Sequence, residues 1–187
     1  MKHPILLLVA LTLALTACNT AKKDTARLEV AKLYYNTLNT SNYSDLNKWF
    51  GETLTTIEGE YQHVYSKSEY LEFLKWDAVF NPTYNILKLE EKEGLVTAQI
   101  SKTDQRIAFL HEAPFTINQT LSIQENKITS IETSYVGFDE TTWETNKNGL
   151  LTWISNNHPE LNGFIYTQTE ANAKRFLEAI ALYKNRE

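Results

Sequence analysis

The sequence predicts an α+β protein: a curved antiparallel sheet with N-terminal helices packed on its concave face, followed by a C-terminal helical extension. Three observations predict it. Residues 115–124 alternate, with Phe115, Ile117, Gln119, Leu121 and Ile123 on one face and Thr116, Asn118, Thr120, Ser122 and Gln124 on the other. That is the period of a half-buried strand. Turn-forming Glu125-Asn126-Lys127 then leads into a second β-rich run, Ile128–Phe138, so long strands come as a hairpin. Helical stripes precede the four long strands instead of alternating with them, the order of an α+β fold in which helices cover one apolar sheet face.

The chain opens on a leader. Lys2 is the only basic residue before the apolar run Ile5–Leu15, the layout of a secretory signal peptide. The run is shorter than the roughly 20 residues a membrane-spanning helix needs. Leu15-Thr16-Ala17-Cys18 resembles the lipobox of bacterial lipoproteins, and Cys18 is the only cysteine. The resemblance implies that residues 1–17 are removed and that Cys18 carries the lipid, with palmitate among its acyl chains. The protein would then be anchored to a membrane surface without crossing it. Asn19 follows, not Asp. Under the sorting rule of some such families, that implies the outer membrane, facing the periplasm or the surface, over the inner membrane. Residues 18–23 read as a polar tether. Losing Lys2 takes the formal charge from −5 to −6, a mild solubility charge. With no cysteine pair, stability rests on a core for which 12% aromatic residues are ample material.

Leu28, Ala31, Tyr35 and Leu38 make an apolar stripe over a first helix, Thr25 to about Asn39. A short helix over Ser44–Phe50 is expected to stop at Gly51. Thr53–Glu58 and Tyr61–Tyr65 read as short strands around Gly59. Ser66-Lys67-Ser68-Glu69 is a capping-box pattern opening a helix that Asn81-Pro82 stops. Thr83–Glu91 and Leu95–Thr103 form a hairpin around Glu93-Gly94. Its register sets Leu87 against Ile100, Leu89 against Ala98, Lys88 against Gln99 and Glu90 against Thr97, so like faces like. Residues 104–112 carry no clear period. In the extension, 139–187, capping-box patterns at Thr141–Glu144 and Thr167–Glu170 open two helices. Trp143, Leu150 and Ile154 mark the first, and Phe176, Leu177 and Ile180 the second.

The order and segment lengths over residues 24–138 resemble the nuclear transport factor 2-like superfamily, also called SnoaL-like or cone-like α+β. The Glu125-Asn126-Lys127-Ile128 turn looks like that family's usual last hairpin. The resemblance implies a conical pocket between helices and sheet. It also implies a choice among a binding module, a cofactor-free isomerase, dehydratase or cyclase on small ring compounds, and a scaffold. The extension lies outside the resemblance and is expected to pack on the cone. A lipocalin-like barrel is the alternative fold, and the early helices argue against it.

For candidate sites, the hairpin register pairs Phe115 with Val136, Ile117 with Ser134 and Gln119 with Glu132. That places Gln119 and Glu132 together on an otherwise apolar inner face. A carboxylate there is a candidate acid–base group. It is also, more simply, a satisfied polar pair tying the sheet to a helix residue such as Tyr35. Asp104 and His111 are a weaker pair, His being the side chain that titrates near neutrality. Tyr35, Trp49, Trp76, His63 and Tyr65 are candidates for the pocket wall or for plain core packing. His158, before Pro159, is a candidate helix cap. The mature chain has three histidines and no H-x-x-x-H or C-x-x-C spacing, so no metal site is expected. No phosphate loop, dinucleotide fingerprint or nucleophile elbow is present, so no cofactor is expected. Without a Lys/Arg cluster, nucleic acid is not an expected partner. The partners left open are the membrane through Cys18, a small apolar ligand, another protein and a second copy. The expected role is that of an envelope lipoprotein that binds rather than catalyses.

Overall fold

The structure is a computed structural model that describes residues 24–186, with all side chains but those of Ser44 and Asn47. The leader and Cys18 lie outside the described residues. Helix α1 spans 24–40, and a 3-10 helix, Tyr43–Lys48, follows. Strands β1 (Phe50–Glu58) and β2 (Tyr61–Ser66) lead into α2 (Lys67–Ala78). Next come β3 (Thr83–Lys92), β4 (Leu95–Thr103), the short α3 (Gln105–Leu110), β5 (Phe115–Gln124) and β6 (Lys127–Val136). The extension holds α4 (Glu140–Asn157), a 3-10 turn at Pro159–Leu161, and α5 (Glu170–Lys184).

The six strands form one sheet in the order β2-β1-β6-β5-β4-β3. It is mixed, because β1 runs parallel to β6, with Thr56 beside Ile131. The expected sheet was wholly antiparallel. The difference arises because α2, the β3–β4 hairpin, α3 and β5 intervene before β6 closes on β1, and such a crossover permits a parallel pair. Phe50 and Gly51 begin β1 instead of ending a helix. Phe50 pairs with Ile128 and its ring is buried against Tyr34 and Tyr70, at 5.7 and 5.1 Å. Tertiary burial thus overrides the local helical reading.

Local chemistry decides several helix starts. Ser66 caps α2 with the full reciprocal box: its hydroxyl accepts from Glu69 N, and its own N–H donates to Glu69 Oε2 at 2.7 Å. The two later boxes are displaced. Asp139, not Thr141, caps α4 through Thr142 N at 3.0 Å, and Thr169, not Thr167, caps α5 through Asn172 N. Asp104 accepts from Ile107 N at 2.6 Å and so opens α3, which gives the unplaced stretch its path.

Both hairpins keep the expected register near their turns and lose it further out. In β3–β4, Leu89 faces Ala98 and Glu90 faces Thr97, but Ile86, not Leu87, faces Ile100. Leu87 is the extra residue of a bulge and is exposed. In β5–β6, Ile123 faces Ile128, and then Thr129 is inserted, so that Ser122 faces Ser130 and Gln119 faces Thr133. The Thr129 hydroxyl donates to Ser122 O at 3.2 Å and helps seat the bulge. One extra residue exchanges the two faces of everything beyond it. Ile131, Thr133 and Tyr135 therefore point inward where Ser130, Glu132 and Ser134 were expected.

Two apolar cores result. The first joins α1 and α2 to the concave sheet, with Tyr34, Tyr35, Leu74, Ile100, Leu121 and Ile131 among its members. The second lies between the extension and the far side of α2 and α3, and contains Trp76, Phe80, Leu110, Ile154, Phe164 and Phe176. Burial of each large side chain contributes roughly 1.5–3 kcal/mol, so the extension is held by several such groups.

Candidate functional site

Between α1, α2 and the concave sheet lies a cavity of about 370 Å3, within the size range of small-molecule sites. Its position follows from residue size. Leu121 and Ile123 fill one end of the sheet's inner face, while Thr56 and Thr133 leave room at the other. Aromatic rings line it, among them Phe73, Trp76, Phe115 and Tyr135. A neighbouring recess lined by Glu69, Glu72 and Gln168 shares Tyr65 and Phe73 with it, so the extension contributes Gln168 to the rim.

The wall is more polar than an apolar hairpin face implied. Asp77, at 2% exposure, accepts from Lys102 Nζ at 2.7 Å through Oδ1 and from the Tyr84 hydroxyl at 2.5 Å through Oδ2. Burial alone would raise its pKa. The positive charges of Lys102 and Arg106, with the two hydrogen bonds, outweigh burial and hold the carboxyl below its ordinary value. The ammonium of Lys102 also sits 4.8 Å from the centre of the Tyr84 ring. The Arg106 guanidinium lies 4.8 Å from the Trp76 ring and 5.2 Å from that of Phe80, within cation–π range.

Tyrosine hydroxyls complete the wall. Tyr34 and Tyr70 share a hydrogen bond of 2.9 Å, and burial pushes both well above the usual phenol range. Tyr135 is pushed up to about 12 by burial, then by the charge of Glu58 and a hydrogen bond with it. These hydroxyls stay protonated at neutral pH. They can orient a ligand but are not nucleophiles.

The expected pair of Gln119 and Glu132 is split by the bulge. Glu132 faces Thr120 and is exposed on the convex face, so it cannot reach the cavity. Gln119 lines the cavity, accepts from the Tyr35 hydroxyl at 2.8 Å and donates to Thr133 Oγ1 at 3.0 Å. Gln119 is thus the tie from sheet to helix, with Thr133 where Glu132 was expected. Tyr35 is buried in the core beneath it. Trp76 lines the cavity. His63 lies between Tyr61 and Tyr65, its ring 4.1 Å from that of Tyr65. Those two tyrosines line the cavity, but His63 does not. Trp49 packs on the first core instead of the cavity wall. Asp104 and His111 do not meet through hydrogen bonds. Asp104 caps α3, while His111 Nδ1 donates to Ala113 O at 2.9 Å and Nε2 accepts from Asp139 N at 3.0 Å. Both ring nitrogens are spent on backbone, which makes His111 a strut between α3 and α4. The backbone N–H of His158 ends α4 by donating to Ile154 O at 2.7 Å. Among the described residues, no group of three or more His, Cys, Asp or Glu is placed to hold a metal. No helix among them is long and apolar enough to cross a membrane.

The sequence reading missed Asp77, Lys102 and Arg106. Asp77 was within reach. It stands three residues after Leu74 and seven after Tyr70, which is the buried stripe of α2. Lys102 continues the inward alternation of Ala98 and Ile100.

Mixed-sheet topology, helices packed on one face and a partly open cavity between them make the cone-like α+β fold of the nuclear transport factor 2-like type. No protein-family model and no curated protein matches the sequence. Solved structures do match. A putative ketosteroid isomerase from Kribbella flavida is 11% identical, with TM-score 0.53, over 63% of this chain and 82% of that one. An epoxide hydrolase/cyclase-like enzyme with a role in pyran ring formation in the polyether salinomycin is 14% identical, with TM-score 0.52, over 59% and 91%. A de novo designed protein with a curved β-sheet is 13% identical, with TM-score 0.50, over 66% and 93%. At such identities the likeness shows the fold alone. That a designed protein shares this fold means function has to be argued from the cavity.

Proposed function

We propose that this chain is an envelope lipoprotein, anchored through lipid on Cys18, whose cone binds a small molecule with a ring system and polar substituents. The observation that carries the binding reading is the cavity: aromatic walls, convergent polar groups and a partly closed shape are what a ligand site needs. A purely structural scaffold would fill that space with side chains. The anchor reading is supported by Leu15-Thr16-Ala17-Cys18. Cys18→Ser should move the protein from the membrane to the soluble fraction, and unchanged membrane fractionation would refute the anchor.

The binding reading is tested with N-phenyl-1-naphthylamine, a neutral probe that fluoresces in apolar sites. Saturable binding is expected. Thr56→Trp, which fills the cavity from β1, should abolish it, with circular dichroism showing that the variant is folded. Glu132→Ala, on the convex face, should leave affinity unchanged and stability within about 0.5 kcal/mol. A probe that does not saturate, or that binds folded Thr56→Trp as it binds the wild type, contradicts the reading.

A second reading is a cofactor-free isomerase, dehydratase or cyclase acting on a small ring compound. It draws on the isomerase and cyclase-like neighbours and on the carboxylate of Asp77 in the cavity wall. Both Asp77 oxygens are engaged and its carboxyl is held acidic, so it is a poor proton acceptor. Binding is the reading that the geometry supports better.

A further inference from the structure

Resting on the reading of the cavity as a ligand pocket, we propose that its ligand is an organic anion: a small ring-bearing carboxylate received by Arg106, with Lys102 beside it. Two ion pairs are built into the wall, Lys102 with Asp77 at 2.7 Å and Arg106 with Asp104 at 3.5 Å. In each, the acid's side chain is buried in the protein. Asp77 accepts a hydrogen bond on each oxygen. Asp104 has a fully buried side chain, holds Ile107 N through Oδ1, faces Arg106 Nη2 with an Oδ2 that has no hydrogen-bond partner among the described residues, and lies outside the cavity lining.

The cations are not spent. An ammonium has three N–H donors and a guanidinium five. Lys102 gives one of its donors to Asp77. Arg106 has a single ion-pair contact, from Nη2, and its Nε is buried with no hydrogen-bond partner among the described residues. Both residues line the cavity. The acids therefore hold the cations at the cavity wall, and the cations keep donors beyond those the acids take. A guanidinium fork matches the two oxygens of a carboxylate. Arg106 is oriented by its contacts with the Trp76 and Phe80 rings, which reduces the entropy lost on binding.

The remaining wall suits a ring. Phe73, Trp76 and Phe115 offer faces and edges for stacking. The Tyr34 and Tyr70 hydroxyls are bonded to each other, which uses one of their two O–H donors. Glu58 is the lining carboxylate that faces solvent, and it accepts a hydrogen bond from the Tyr135 hydroxyl. It marks the rim as unfavourable for an anion and directs the charged end of the ligand inward to Arg106.

Competition against N-phenyl-1-naphthylamine tests this, with 1-naphthoate and its neutral isostere 1-naphthamide as competitors on the full chain. Naphthoate should compete about tenfold better or more, the scale of a charge-assisted pair. In Arg106→Gln that preference should fall to near parity while the probe still binds. Arg106→Lys, which keeps charge but loses the fork, should fall between. Equal competition by naphthoate and naphthamide in the wild type overturns the inference and leaves the pocket reading standing, whether or not the variants fold. Absence of saturable probe binding overturns both. A naphthoate preference that survives intact in folded Arg106→Gln also overturns the assignment.

Discussion

Phe176→Ala should lower the unfolding free energy by about 3–5 kcal/mol, the usual cost of removing a buried aromatic ring. In a domain of this size, that is a fall in melting temperature of roughly 10 °C. Phe176 is 3% exposed, with its ring 4.8 Å from Phe164 and 5.7 Å from Phe80. It is where the extension grips the end of α2. Truncation loses both contacts and leaves a void among rings held by other contacts, including Phe80 on Trp76 at 5.2 Å. Deleting 169–187 should cost at least as much. Tyr166→Ala is the matched control, since Tyr166 is 82% exposed and its loss should register within about 0.5 kcal/mol. Thermal unfolding followed by circular dichroism separates them. Equal, small shifts for both would mean that the extension is not part of the folded unit.

Asp77→Ala should be comparably damaging, at about 3–5 kcal/mol, because it leaves the Lys102 ammonium poorly solvated and without its counter-ion. The Tyr84 hydroxyl loses its acceptor as well. Asp77→Ala combined with Lys102→Met should be less destabilised than Asp77→Ala alone, since no unpaired charge remains. The pH dependence has a definite sign. The folded-state pKa of Asp77 lies below its unfolded value, which is about 3.9. The contribution of this ionisation is thus complete above about pH 4 to 5 and lost as pH falls through the folded value. Urea unfolding at pH 7, 5 and 3 should show wild type and Asp77→Asn separated by the same margin at the first two. The margin should narrow at the third. A margin that widens in acid would mean that the carboxyl is raised, and the ion pair would then not be what sets its charge.

Much of this architecture was readable locally, because the features that encode it are local. The Ser66–Glu69 box lies within four residues and forms as read. The alternation of 115–124 needs no partner to be seen, and its inward set is the set that reaches the concave side. What failed is what depends on pairing between segments. The register of β6 turns on the single inserted residue Thr129, and that insertion transferred the candidate acid Glu132 from the pocket to solvent. One trace of it was present in the sequence. Ile128 and Ile131 are three apart, a spacing that strict alternation cannot bury on one face. Phe50 as a strand residue was not legible, because its burial depends on Ile128, Tyr34 and Tyr70, all remote in the chain. The site was half legible. The inward position of Gln119 follows from periodicity, and Trp76 stood among aromatic residues that could equally be core. Asp77, Lys102 and Arg106 were not found, because charged residues at inward positions read as surface until their mutual pairing is known.

The central claim is that the cone is a ligand pocket whose polar wall is Asp77, Lys102 and Arg106. A crystal structure of the chain soaked with 1-naphthoate tests it most directly. The ring is expected between Trp76 and Phe115, and the carboxylate within hydrogen-bonding distance of Arg106. Naphthoate lodged only on the convex face beside Glu132, or a cavity closed by side-chain rearrangement with no ligand inside, would contradict it.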